Sequence, residues 1–191
     1  LDDQLARVAA AMPVMHDLPV GVDPNGADAW VWQDLLATDV TVGAPPDAFN
    51  TLGQNWGLPP WVPHKLRAAA YQPWRHTLQA TLRHAAGLRI DHVMGLFRLF
   101  WIPRETEPSL GAYVRYPADE LLAILALEST RAQAFVVGED LGTVPDEVRQ
   151  AMAAFAVYHY KVVVFEKESV GRFRAPEGYA CRSIAAASTH D

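Results

Sequence analysis

An α/β fold with parallel strands is what this sequence predicts, on three observations. Helix-forming stretches alternate along the chain with short apolar ones of strand composition. That alternation implies crossover connections, and so parallel pairing. Polar residues, carboxylates above all, stand at the carboxyl ends of the apolar stretches, where parallel α/β folds place their sites.

Taken in order, residues 3–11 (DQLARVAAA) suit a helix, with Asp2 or Asp3 as a cap and Pro13 as its stop. A short strand near 14–20 reaches Asp17. Residues 23–63 read as one long irregular stretch holding four of the six tryptophans. A loop of that length is functional or disordered as a rule, and this one is too aromatic for disorder. Residues 64–86 are helical in composition, interrupted at Pro73, with Gly87 as a C-terminal cap. GLRIDHV (87–93) is a strand, followed by a second irregular stretch over 102–117. ADELLAILALE (118–128) is a helix, residues 134–139 a strand, and Pro145 opens a helix to about residue 154. Strands near 160–166 and 184–189 complete the order.

The chain has 191 residues, half of them apolar and a fifth charged, which is ordinary for a globular domain. Its net charge of −6 argues against a nucleic-acid or anionic-membrane partner. No apolar run reaches the roughly 18–20 residues that span a bilayer. Cys181 is the single cysteine, which excludes a disulfide framework and fits a reducing compartment such as the cytoplasm. The chain starts inside a helical stretch and stops at Asp191, and is expected to be a piece of a longer protein.

Asp17, Asp91 with His92, Glu139 with Asp140, and His190 with Asp191 all lie at strand ends. Carboxylates gathered on one edge repel and raise one another's pKa, which is costly without a purpose. Glycosyl transfer needs such a set: one carboxylate attacks the anomeric carbon and a second, kept protonated, supplies the proton to the departing oxygen. Arg89 precedes Asp91 by two positions and falls on the same side of the strand, where it can pair with Asp91 and fix its direction. His92 should face the other way. Taken singly, each residue has a blander reading: a lone strand-end aspartate is most often a turn former or cap. A divalent cation also suits carboxylates beside His92 or His190, and on pattern alone that alternative stays open. Trp30, Trp32 and Trp74 are read as core residues.

Five segments, in order, resemble the 4-α-glucanotransferases of glycoside hydrolase family 77, the amylomaltases or disproportionating enzymes. HDLPVGV (16–22) is similar to the family's third-strand segment. GAPPDAFNTLGQNWGLPPW (43–61) resembles its signature loop. GLRIDHVMGLFRLFWIP (87–103) resembles the fourth-strand segment, VVGEDLGTVPDEVR (136–149) the fifth, and STHD (188–191) the end of the seventh. The resemblance implies a (β/α)8 TIM barrel of the α-amylase type, present here as a fragment of about strands 3 to 7. On that reading residues 1–191 are a partial catalytic domain, residues 23–63 are its long active-site loop, and the flanking parts are missing. It implies Asp91 as nucleophile, Glu139 as general acid/base and Asp191 as the third carboxylate. Arg89 and His190 match sugar-contacting positions, and Asp140 the neighbour of the acid/base. Phe49 and Trp56 match a lid over the acceptor side, with Asp47, Gln54 and Asn55 as weaker candidates there. The implied substrates are a maltooligosaccharide or α-glucan donor and a sugar acceptor, with no cofactor and no metal, and the isolated fragment is expected to be inactive. An amylase-type hydrolase, a non-catalytic glucan-binding remnant and a metal-dependent barrel enzyme are the alternatives.

Overall fold

The structure, a computed structural model, describes residues 1–48, 50–169 and 171–189. Its strands are β1 (Met15–Leu18), β2 (Val40–Ala44), β3 (Gln54–Leu58), β4 (Gly87–Ile90), β5 (Arg98–Pro103), β6 (Ala112–Arg115), β7 (Phe135–Gly138), β8 (Tyr158–Val162), β9 (Lys167–Ser169), β10 (Arg172–Phe173) and β11 (Ser183–Ala186). Its α-helices are α1 (Asp2–Ala11), α2 (Ala27–Val31), α3 (Pro63–Ala68), α4 (Gln72–Leu82), α5 (Ala118–Ala132) and α6 (Asp146–Ala154). No helix among the described residues is long and apolar enough to cross a membrane. The chain divides into two compact units.

The first unit, residues 1–18, 78–93 and 123–191, contains a five-stranded sheet in the order β1-β4-β7-β8-β11. Every pairing in it is parallel, as the alternation predicts. All four residues of β4 are buried, the pattern of a strand covered on both faces. Helical residues one turn apart complete this core: Leu78 and Leu82 on α4, and Val148 and Met152 on α6. Burying one such side chain in full contributes roughly 1.5–3 kcal/mol. α6 starts where expected, with Asp146 and Glu147 in its first turn, where acidic groups suit the helix dipole. β8 starts two residues and ends four residues earlier than expected, and gives way to a 3-10 turn at Val163–Phe165, where its pairing with β11 has ended at Val162.

The second unit, residues 19–77 and 94–122, corrects the sequence reading most. The stretches read as irregular contribute three strands of a four-stranded antiparallel sheet, β3-β2-β5-β6. Phe100 and Ile102 are buried on one of its faces, and Val42, paired with Trp101, is buried on the other. The expected helical run over 64–86 is two helices, separated by Ala70 and Tyr71 in left-handed conformations (φ 50° and 56°). The Tyr71 hydroxyl and the Arg67 guanidinium both donate to Glu120, and burial, then that carboxylate, push the phenol up to about 12. Trp30 is not a core residue: it is 75% exposed on α2, a helix too short to bury a full face. Nor does Gly87 cap a helix. It opens β4, where a Cβ would meet the Phe135 ring at 2.5 Å.

Candidate active site

The register of the parallel sheet assembles the site. Asp17 stands level with Arg89, and Leu18 with Ile90. Ile90 stands level with Gly138, and Gly138 with His159. One residue further on, Asp91 and Glu139 leave the sheet side by side. Gly138 leaves room for the packing beside them, since a Cβ there would lie 2.8 Å from Val93 Cγ2 and 3.0 Å from Met152 Cε.

Arg89 is the centre. Its side chain is 7% exposed. Nη1 donates to both Asp17 oxygens, at 2.7 and 2.9 Å. Nη2 donates to Asp91 Oδ1 at 2.9 Å and lies 3.8 Å from Glu139 Oε2. The guanidinium also sits 4.9 Å from the centroid of the Tyr160 ring. Burial pulls the Arg89 pKa down most. The Asp17 hydrogen bonds and the charges of Asp17 and Asp91 together outweigh it, so the net direction is upward.

The two carboxylates on Nη2 differ in surroundings. Glu139 is the more buried, with its side chain 16% exposed against 26% for Asp91. Burial raises the Glu139 pKa, and neighbouring Asp91 raises it further. The His92 N–H and the Arg89 charge oppose this without cancelling it. His92 has a left-handed backbone (φ 46°), a conformation costing roughly 1–3 kcal/mol for a residue other than glycine. It turns the main-chain N–H onto Glu139 Oε2 at 2.8 Å. Burial lowers the pKa of its ring, against the pull of Asp91.

Asp140 faces away from solvent. Its side chain is 0% exposed; Oδ2 accepts from His159 Nδ1–H at 2.7 Å, and Oδ1 from the Tyr160 N–H at 3.2 Å. That leaves it no surface for a sugar hydroxyl and makes it an anchor between β7 and β8. His190, Asp191 and Phe49 lie outside the described residues. In the second unit the remaining loop candidates share one hairpin region. Asp47 Oδ1 accepts from the Asn50 N–H. Asn55 Oδ1 accepts from Thr41 Oγ1 and the Gly57 N–H. Trp56 Nε1 donates to Gln54 Oε1 at 2.9 Å.

Sequence reasoning left three residues of the site without a role: Asp17, His159 and Tyr160. Asp17 carried a signal as a strand-end carboxylate, but its partner depends on register. Tyr160 opens the strand expected near 160–166 and His159 precedes it, and neither carried a signal. Among the described residues, no three His, Cys, Asp or Glu side chains converge as the ligands of a cation would. The positive charge between the carboxylates is that of Arg89.

Fold and site together define an α/β protein with paired carboxylates and an arginine at the carboxyl edge of a parallel sheet. The chain belongs to the 4-alpha-glucanotransferase family, glycoside hydrolase family 77, whose family model matches residues 3–191. It is 51% identical over 175 residues to a 4-alpha-glucanotransferase of Mycobacterium tuberculosis (strain ATCC 25618 / H37Rv), covering 88% of this chain and 24% of that relative. It is 46% identical over 178 residues to one from Haemophilus influenzae, covering 93% and 25%. All of the chain superposes on 28% of the crystal structure of amylomaltase from Corynebacterium glutamicum, with TM-score 0.92 and 44% identity. It also superposes on 41% of an amylomaltase from Streptococcus agalactiae in complex with acarbose, with TM-score 0.85. That second likeness, at 22% identity, concerns the fold alone. The chain spans about a quarter of the length of these two curated relatives.

Proposed function

We infer that this chain carries the catalytic strand ends of a 4-α-glucanotransferase that moves α-1,4-glucan segments between maltooligosaccharides by a retaining double displacement. The observation that carries the reading is the Arg89 Nη2 group, which bonds Asp91 at 2.9 Å and lies 3.8 Å from a more buried Glu139. Two carboxylates on one cation, with different burial, suit two different roles. Asp91, aimed by Arg89, attacks the anomeric carbon and forms a glycosyl ester. Glu139, its pKa raised by burial, gives its proton to the departing sugar oxygen. In the second half, Glu139 takes the proton from the acceptor's 4-hydroxyl, the acceptor oxygen attacks the same carbon, and the Asp91 carboxylate leaves.

The reading extends to the fold. β1, β4, β7, β8 and β11 are the third to seventh strands of a (β/α)8 barrel, supported by their parallel order and by the likeness to amylomaltase. Residues 1–191 are then part of one catalytic domain, with residues 23–63 serving the acceptor side. Asp191 is assigned as the third carboxylate, and Arg89 and His190 as contacts to the sugar being cleaved. Phe49 and Trp56 are assigned to the lid, with Asp47, Gln54 and Asn55 holding its hairpin. The cytoplasm is the proposed location.

Maltotriose as sole substrate tests the activity. Transfer yields glucose together with longer maltooligosaccharides; maltose and glucose without longer chains would mean hydrolysis and overturn the transferase reading. In the intact protein, Asp91→Asn and Glu139→Gln should each lower turnover of maltotriose by at least about a thousandfold. An active Asp91→Asn variant would remove the nucleophile assignment.

A further inference from the structure

We propose that His159 is a positioning residue for Glu139, acting through Asp140; this rests on the acid/base reading of Glu139 above. Glu139 is held firmly on its β4 side. Its N–H donates to the Ile90 carbonyl at 2.9 Å, its carbonyl accepts from the Val93 N–H at 3.0 Å, and its carboxylate accepts from the His92 N–H.

On the β8 side the support is different. The β7–β8 pairing consists of Val137 with Tyr158 and Gly138 with His159, and stops one residue before Glu139. Where the backbone ladder ends, the Asp140 side chain takes its place. The Tyr160 N–H donates to one carboxylate oxygen and His159 Nδ1–H to the other. A carboxylate with no exposed surface is costly to leave without donors, so Asp140 stays on His159, and the peptide joining Asp140 to Glu139 stays with it. The next residue of β8 extends the same hold: the Tyr160 ring lies against the Arg89 guanidinium, which bonds Asp91 and neighbours Glu139. Strand alternation sends the His159 and Tyr160 side chains to opposite faces of β8. Two adjacent residues thus steady the acid/base from one face and the arginine from the other. Removing the His159 donor leaves the Glu139 proton misdirected while Asp91 keeps its own partner.

The test separates proton delivery from nucleophilic attack by the choice of leaving group. From maltotriose the reducing-side sugar, glucose or maltose, departs as an alkoxide that must be protonated. From α-maltotriosyl fluoride the C–F bond breaks to release fluoride, which needs far less help from an acid. With the intact protein, His159→Leu should lower kcat on maltotriose about 10- to 100-fold, leaving KM within about twofold. Single-turnover fluoride release should fall less than about threefold. His159→Asn, whose amide nitrogen can stand where Nδ1 stands, should recover most of the loss. Asp140→Asn is the second variant and should show the same dependence on leaving group. Equal losses with both donors, or no loss with either, would overturn the proposal. So would failure of both His159→Leu and Asp140→Asn to fold, which would make the pair a stability element only. Glu139→Gln is the control: without the leaving-group difference there, the acid/base reading falls and this proposal with it. A difference in Glu139→Gln but none in His159→Leu overturns this proposal alone.

Discussion

At the scale of single residues, the site turns on the geometry of one guanidinium. Arginine presents donors in a planar fork, so Nη1 can hold both Asp17 oxygens while Nη2 serves Asp91. A lysine would offer one point charge to all three carboxylates. Asp17 is itself 45% exposed, so it acts less by adding stability than by keeping the fork from rotating. On the proposed transferase reading, Asp17→Asn in the intact protein should therefore lower kcat on maltotriose about 10- to 100-fold, since small misplacements near reacting atoms are costly. Steady-state kinetics beside thermal unfolding checks this; a variant with wild-type kcat would show that Arg89 needs no Asp17. The Arg89–Asp91 pair was legible in the sequence because residues two apart on a strand share a face. The Asp17–Arg89 pair was not, because it depends on how β1 registers against β4. His92 combines both cases. Its place beside Asp91 is written in the sequence, but its contribution is a main-chain N–H aimed by a left-handed turn.

At the scale of elements, the turn after β4 and helix α6 pack against β7 at a residue without a side chain. Gly138→Ala would drive a methyl into Val93 and Met152, which belong to the turn after Asp91–His92 and to α6. Overpacking of this kind costs roughly 1–3 kcal/mol. Because the displaced strand end carries Glu139, turnover should fall along with stability. Urea unfolding and maltotriose kinetics on the same preparation check both, and a stable variant with unchanged turnover would show that the gap closes without moving Glu139. The helices and parallel strands were readable element by element, because their apolar periods are local. The antiparallel sheet was not. β2 and β3 are five residues each, set among prolines and polar residues, and are strands because they pair with each other and β2 with β5 some sixty residues on. At Gly43 a Cβ would lie 2.0 Å from the Gln54 carbonyl oxygen, so a residue that reads as a loop signal serves close strand pairing.

At the scale of the whole molecule, burial of Glu139 couples folding to protonation. Its folded-state pKa is raised, so between the ordinary glutamate value and the raised one the folded chain holds more proton than the unfolded chain. Stability must therefore fall as pH rises through that window, and level off above it. Glu139→Gln removes this term. The unfolding free energy of the wild type minus that of the variant should decline with pH above about 4.3 and then become flat. Denaturant unfolding of both proteins over that range checks the sign, and a rising difference would contradict a burial-driven shift. The same direction holds the proton on Glu139 to higher pH, in keeping with the acid role proposed for it.

The sequence by itself determined what local pattern can determine. The alternation of helix and apolar strand sets the parallel sheet, strand position sends Asp91 and Glu139 to its carboxyl edge, and a two-residue spacing puts Arg89 beside Asp91. Tertiary structure alone decided which groups would face them. Asp17 on Arg89, His159 on Asp140, Tyr160 against the guanidinium and the antiparallel pairing of β2 with β5 all join residues distant in the chain. Their meeting depends on register and on hydrogen bonds that form only once the strands are side by side. Period and spacing act within a single element, whereas pairing is a property of two.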